Sequence, residues 1–507
     1  MTRYGAGIGS GLAAAREPRR VRDGERIHVL GAAGAGASAA ALLGHRAGGR
    51  VTGCDPGGPS PYTAALEAAG IALAWRHDPA HVDSPPRPDR LAVTKALTAM
   101  DPDHPELRAA RRLGIPVEPW QQVVADTATG RTLVGIGGTH GKSTTSGWLV
   151  HLLVAAGADP SAFVGAPLPA SLTGGVAATA RWGSGAPFVV EADEYAGNFD
   201  AFRPAIAVVT SVEWDHPDVF ADRAAVVSAF EGWLRAAVAA NDRPPTLVAN
   251  VGDEGVVELL TRLPDWPGRV FATRLVEPGA AADRAQGTLN GRILEEAPEG
   301  TVIEVAGSDL PDGPITARLA TAGRHNAANA LGVAGAALAL GIPAKYVASG
   351  LASFEGVGRR LERKGEAARV VVYDDYAHHP TAIRATLAAV RQREPGRRVW
   401  AVYEPLTYHR TAALLDAFAD VLATADAVAV ADIWAGRDPD MTVASAAGLA
   451  EAVARRRPEL PVAAPGSVEQ TAAWLATEVR AGDAVLVMGG GRSYRIGELL
   501  LEQLEQQ

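Results

Sequence analysis

The chain is 507 residues long, too long for a single hydrophobic core, and its length predicts about three domains. A formal net charge of −9 implies no basic face for nucleic acid, and the single cysteine, Cys54, excludes an intramolecular disulfide and fits a reducing cytoplasm. No run of about 18 apolar residues appears, so no membrane span is expected.

Residues 1–25 hold glycines and arginines without the apolar stretch of a signal peptide, and are read as a flexible tail. A first domain is placed at 26–125. It opens with a short strand at 27–30, a turn with Gly31, Gly34 and Gly36, a small-residue helix, and a second strand ending at Asp55. The spacing is G-x-x-G-x-G, against the G-x-G-x-x-G of a dinucleotide fingerprint. Both a diphosphate-binding turn and a purely structural turn stay open on this pattern. Residues 83–88 are proline-rich and read as a surface loop, and residues 114–117 lead into the last strand of the domain.

The middle domain, 126–346, begins with the most informative segment. All but four of the 48 cations are arginine, yet one lysine is kept inside Gly138-Thr139-His140-Gly141-Lys142-Ser143-Thr144. An apolar run precedes this loop, and a helical pattern with Trp148, Leu149, Leu152 and Leu153 on one face follows it. Strand, glycine loop, Lys-Ser and helix form a triphosphate cradle: backbone N–H groups and the helix N-terminus face phosphate, the ammonium reaches the β/γ oxygens, and the hydroxyl takes Mg²⁺. Arginine, a wide planar fork, fits so tight a loop poorly. The segment predicts ATP as a cofactor. Ile136 stands where the standard loop has its first glycine, so this is a shortened variant.

Further strands are expected at 188–190 and 206–209. Glu191 closes the first of these and, with Mg²⁺ favouring oxygen ligands, is a metal candidate. Asp215-His216 follows the second, which makes His216 a second-metal candidate. Asn326 and Asn329 share one face at the start of a helix over 325–340. The third domain, 347–507, alternates strands at 370–373, 399–402, 427–433 and 484–487 with helices from 380, from 411 and over 496–504. It is an open doubly wound sheet whose site lies at the carboxyl ends of its strands. Arg359-Arg360 and Asp374-Asp375 open it, followed by Tyr376-Ala377-His378-His379-Pro380.

In order, residues 138–145, 191–194, 215–216, 323–331, 358–361 and 374–381 carry motifs that resemble those of the Mur ligases. These are the ATP-dependent amide-forming enzymes of peptidoglycan synthesis. The resemblance covers nearly the whole chain after residue 26. It implies an α/β protein of three domains: a Rossmann-like N-terminal domain for the uridine diphosphate substrate, a central P-loop-type ATPase domain, and a Rossmann-like C-terminal ligase domain. It further implies UDP-N-acetylmuramic acid and L-alanine as substrates, ATP and Mg²⁺ as cofactors, and a cytoplasmic monomer or homodimer.

By the same resemblance, Gly31, Gly34, Gly36 and Asp55 face the uridine nucleotide, and residues 138–144 with Asn326 and Asn329 face ATP. Lys142 stabilises the transferring phosphate, and Arg360 and Asp375 reach the γ-phosphate and the ribose from the third domain. Ser143, Glu191 and His216 hold metal, and His378 and Arg410 lie on the amino-acid side. Later-acting members of the family resemble one another in a carbamylated lysine; this chain has no lysine between Lys142 and Lys345, which points to the alanine-adding branch or to its relative that recycles tripeptides. Ala33 and Ala37 depart from the family's nucleotide loop, and Glu404-Pro405-Leu406 stands for its Gln-Pro-His. Glu404-Pro405 and Tyr195 lean to the recycling branch. A non-catalytic ATP-binding regulator is the other alternative, and intact Lys142, Ser143, Glu191 and His216 argue against it.

Overall fold

The computed structural model describes residues 7–240, 243–277, 288–310, 313–436, 438 and 440–506. Three sheets follow one another along the chain, each built round parallel strands. Their central strands are short apolar runs buried on both faces, as parallel sheets covered by helices require.

In the first sheet the five strands run in the order Ala72–Ala74, Arg50–Cys54, Arg26–Leu30, Arg90–Val93, Val117–Pro119, all parallel. Helix Ala35–Arg46 follows the glycine turn, and its alanines are buried so that it lies close to its neighbours. A β-carbon on Gly36 would sit 2.1 Å from the Trp120 ring, so that position admits only glycine. Ser38 on this helix meets Thr179 of the central domain, Oγ to Oγ1, at 3.2 Å.

The expected flexible tail needs correction where it is described. Arg16 donates from Nε to Glu118 at 2.7 Å and from Nη2 to Asp126 at 2.8 Å, and Ile8 is buried beside Tyr195 and Ala196. Glu118 and Asp126 are buried carboxylates that Arg90 also contacts. A buried acid pair of that kind needs cationic partners, and it recruits one from the N-terminal segment.

The central sheet has ten strands among the described residues. From the catalytic end outward, Thr132–Gly137 lies between Pro187–Ala192 and Ile206–Val209, parallel to both. Strands Arg269–Val276, Thr288–Ala297, Gly300–Gly307 and Ile315–Leu319 extend it, the last three pairing antiparallel. No strand was expected there from the sequence. Helix Lys142–Ala155 buries Trp148, Leu149, Leu152 and Leu153 completely against helix Arg324–Ala339 and the sheet.

The third sheet runs Glu362–Ala367, Val370–Asp375, Ala484–Gly489, Val399–Glu404, Ala427–Ala431, Val462–Gly466, with only the first strand antiparallel. The helix expected from Thr411 starts earlier, as Tyr408–Ala413, and a second helix, Leu415–Leu422, follows it. Among the described residues, no helix is long and apolar enough to cross a membrane.

Candidate active site

Strand Thr132–Gly137 delivers the chain into the loop 138–141, and helix Lys142–Ala155 begins at once. Gly138 has φ of 144°, and a β-carbon there would meet Thr210 Oγ1 at 2.0 Å. Gly141 caps the helix at φ 80°, pressed on Asn329 Oδ1. Ile136 is a fully buried strand residue, which is why the loop is shorter than the standard one.

The Lys142 ammonium donates to Gly138 O at 2.6 Å and Glu194 Oε2 at 2.9 Å, and lies 3.7 Å from Asp193 Oδ1. Burial opposes its charge, but Glu194, Asp193 and Glu191 outweigh burial and hold it above its ordinary range. Glu194 is buried enough to be pushed up to about 7 despite its lysine partner. Its Oε1 is buried with no hydrogen-bond partner among the described residues.

Ser143 Oγ donates to Glu191 Oε1 at 3.0 Å, and Gly165 N–H donates to Glu191 Oε2 at 2.6 Å. From the third domain, Arg360 Nη2 donates to the same serine oxygen at 2.9 Å. The anticipated Ser143–Glu191 pair is therefore formed. His216, the second-metal candidate, clusters with Asp193 and Glu194, and one ligand atom from each lies within 4.8 Å of the others.

Two acids that follow strand Ile206–Val209 bind the third domain. Arg410 donates from Nε to Asp215 Oδ1 at 2.9 Å, and its Nη2 lies 2.9 Å from the same oxygen and 3.0 Å from His216 Nδ1. Arg410 and Asp215 are both almost fully buried. Burial opposes the Asp215 charge, yet His216 and Arg410 hold its carboxyl well below the usual range. Two residues earlier, Glu213 Oε2 accepts from Thr381 Oγ1 at 2.8 Å and lies 3.6 Å from His140 and 3.9 Å from His379.

Arg410, expected on the amino-acid side, thus has its guanidinium committed to Asp215 and His216, although it still lines the larger cavity. His378 lines that cavity too. Its Nδ1 meets Tyr376 O at 2.9 Å, and burial with Arg410 nearby keeps the ring neutral, well below its ordinary pKa.

Two adjoining cavities meet at residues 140–144. The larger, about 350 Å³, is lined by residues 139–144, Glu191, His216, Arg360, His378 and Arg410, and by Gly36 from the first domain. The smaller, about 260 Å³, is lined by Gly141, Thr144, Asn326, Asn329, Arg360 and Asp375. Asn326 donates to Ala322 O at 2.8 Å, and Asn329 donates to Asn326 Oδ1 at 3.2 Å, so the pair is held rigidly at the cavity wall. Asp375 lines both cavities, but its two oxygens accept the N–H groups of Leu361 and Ala377. It braces the Arg360 segment.

Gly31 and Gly34 turn the chain into helix Ala35–Arg46 at the edge of the first sheet and line neither cavity. Asp55 holds the turn shut by accepting from Ala33 N at 3.0 Å and Gly57 N at 2.8 Å. Glu404 is buried, and burial pushes its carboxyl up to about 7. Asp193 and Glu194 belong to the acidic run 191–194, whose place just past a strand suits Mg²⁺, whereas no sequence motif marks Glu213.

A glycine phosphate loop, an oxygen-rich metal-competent pocket and an arginine supplied by another domain define a nucleotide-dependent multidomain enzyme. The chain belongs to the Mur ligase family: the family's catalytic domain matches residues 26–132, its middle domain 136–337 and its glutamate ligase domain 359–491. It is a ligase. A UDP-N-acetylmuramate–L-alanine ligase of Frankia casuarinae is 37% identical over 95% of this chain and 98% of its own. The murein peptide ligase of Psychrobacter arcticus superimposes with a TM-score of 0.71 at 25% identity, covering 96% of this chain and 99% of its own. The UDP-N-acetylmuramate-alanine ligase of Thermotoga maritima shares the fold, with a TM-score of 0.74 at 23% identity, covering 95% of this chain and 99% of its own.

Proposed function

We propose that this ligase joins L-alanine to UDP-N-acetylmuramic acid at the expense of ATP, in the cytoplasm, as a step of peptidoglycan synthesis. The observation that carries the reading is the junction at Ser143. The phosphate-loop hydroxyl, the Glu191 carboxylate and Arg360 of another domain converge on one point. That convergence supports a reaction in which closure of the domains completes the site.

A free carboxylate is a poor acylating group because its leaving oxygen is too basic. Transfer of the γ-phosphoryl to the lactyl carboxylate makes an acyl phosphate, and the alanine amine then displaces phosphate. Lys142 and Arg360 stabilise charge on the moving phosphoryl group, which is where such enzymes gain most rate. Glu194 accepts from the Lys142 ammonium at 2.9 Å, and ATP phosphates would compete with it for that charge. Asn326 and Asn329 border the nucleotide in the smaller cavity, with Asp375 positioning Arg360. Gly31, Gly34, Gly36 and Asp55 present the uridine nucleotide from the first domain. His378, neutral and beside Asp215, is suited to accept a proton from the incoming ammonium.

The donor set fits Mg²⁺. Ser143 and Glu191 offer oxygen, while Asp193, Glu194 with its unpartnered Oε1, and His216 offer a second group. When bound, Mg²⁺ neutralises phosphate charge. Ligation of an alanyl tripeptide is the second reading, favoured by the likeness to the Psychrobacter enzyme.

The two readings separate in one assay. With ATP, Mg²⁺ and UDP-N-acetylmuramic acid, phosphate release should depend on L-alanine. It should be at least about tenfold slower with L-Ala-D-Glu-diaminopimelate, because a small pocket excludes the tripeptide sterically. A faster reaction with the tripeptide would transfer the assignment to the recycling branch.

A further inference from the structure

The first domain carries a second concentration of reactive side chains outside the two cavities. Four of the chain's twelve histidines and its only cysteine surround one buried acid, Glu106. His28 comes from strand Arg26–Leu30, Cys54 ends strand Arg50–Cys54, His81 lies on helix Ala80–Asp83, and Glu106 is in the first turn of helix Pro105–Leu113. Four separate elements thus converge.

The spacing is that of a coordination sphere. His28 Nε2 is 3.1 Å from Glu106 Oε2, His81 Nδ1 is 3.2 Å from Oε1, and Cys54 Sγ is 3.3 Å from Oε1. One ligand atom from each of the four residues fits within a mutual separation of 4.8 Å. Tetrahedral zinc with bonds of about 2.0–2.3 Å has ligand–ligand edges of roughly 3.3–3.8 Å, so the four ligand atoms would draw closer together on taking the ion.

Glu106 is fully buried; Asp78 N donates to its Oε1 at 2.9 Å, and its ion-pair partners among the described residues are His28, His77 and His81, with no lysine or arginine. A buried carboxylate is costly unless paired or bound to metal. Thr52 Oγ1 holds His28 Nδ1 at 2.8 Å, which turns Nε2 towards Glu106, as outer partners of metal-ligating histidines do. His104, stacked edge-on against His77, has a buried Nε2 with no hydrogen-bond partner.

We propose that Cys54, His28, His81 and Glu106 form a structural site for a zinc-type divalent cation. Binding exchanges protons for metal: the S–H bond breaks, any proton that His28 Nε2 or His81 Nδ1 directs at Glu106 is given up, metal–sulfur and metal–nitrogen bonds form, and the protons leave to solvent. The rim at His77 and His81, 19% and 18% exposed, gives access. Four protein ligands leave no open position, so the site is structural. It ties the end of strand Arg50–Cys54 to two helices. The next residue, Asp55, holds the glycine turn, so the site braces that turn.

Cobalt titration of the metal-free full-length protein tests this, because Cys54 is the only thiol and the carboxylate and histidine clusters of the active site give no thiolate band. A near-ultraviolet thiolate–cobalt band should saturate at one equivalent and be bleached by zinc. His81→Ala should weaken cobalt binding at least about tenfold, in a metal-free variant whose circular dichroism shows the fold retained. Absence of the band at saturating cobalt, or an unaltered midpoint in His81→Ala, would overturn the proposal.

Discussion

Lys142→Ala is expected to reduce alanine-dependent phosphate release by two orders of magnitude or more, with the fold retained. The ammonium sits at the start of helix Lys142–Ala155, where backbone N–H groups already favour phosphate, and no other lysine approaches the loop. Removing one preorganised charge-stabilising donor costs about 10²-fold or more in rate. The variant keeps its fold because Glu194, already titrating at about 7, takes up a proton when its partner is lost. Turnover within a few-fold of the wild type, in a variant with an unchanged melting temperature, would remove Lys142 from the reaction.

Arg410→Ala should be nearly as damaging, by a different route. The guanidinium is the buried partner of Asp215 across the boundary between central and third domains. Deleting one member of a buried pair strands the other, at about 3–5 kcal/mol, which corresponds to roughly 10²–10³-fold in the closing equilibrium. Asp215, left with His216 but without its buried guanidinium partner, regains a higher pKa, and the closed arrangement is lost. Small-angle scattering should show a more extended protein, and kcat/KM for alanine should fall by about 10² or more. Arg410→Lys should restore only part of the effect, since one ammonium cannot reproduce both the Nε bond to Asp215 Oδ1 and the Nη2 contact with His216 Nδ1. An Arg410→Ala variant as compact and as active as the wild type would refute this coupling.

The segments legible in the sequence are those whose chemistry is local. The loop around Lys142 could be read because strand, glycines, lysine, serine and helix lie within about twenty residues, and each constrains the next. The strands at 188–190, 206–209 and 484–487 were visible as apolar runs for the same reason. The antiparallel strands between 288 and 319 were not, because they alternate and carry charges such as Arg292 and Glu304 on a partly exposed face.

Pairings across domains left no local trace. Nothing near Asp215 announces Arg410, 195 residues away, and nothing near Arg16 announces Asp126. His216 reads from the sequence as a candidate for a second metal, apart from Ser143 and Glu191, but its neighbours Asp193 and Glu194 emerge only when the chain after Glu191 turns back towards it. The cluster around Glu106 is not legible in the sequence because, although His77 and His81 stand in an H-x₃-H spacing, His28, Cys54 and Glu106 lie far from them along the chain.

The central claim is that ATP activates the lactyl carboxylate so that alanine can capture it. The direct measurement uses UDP-N-acetylmuramic acid labelled with ¹⁸O in that carboxylate, with unlabelled ATP, Mg²⁺ and L-alanine. The account predicts a product heavier than the substrate by one alanyl unit and one labelled oxygen carried into each phosphate released. Phosphate free of label, or label-bearing phosphate without the alanyl product, would contradict it.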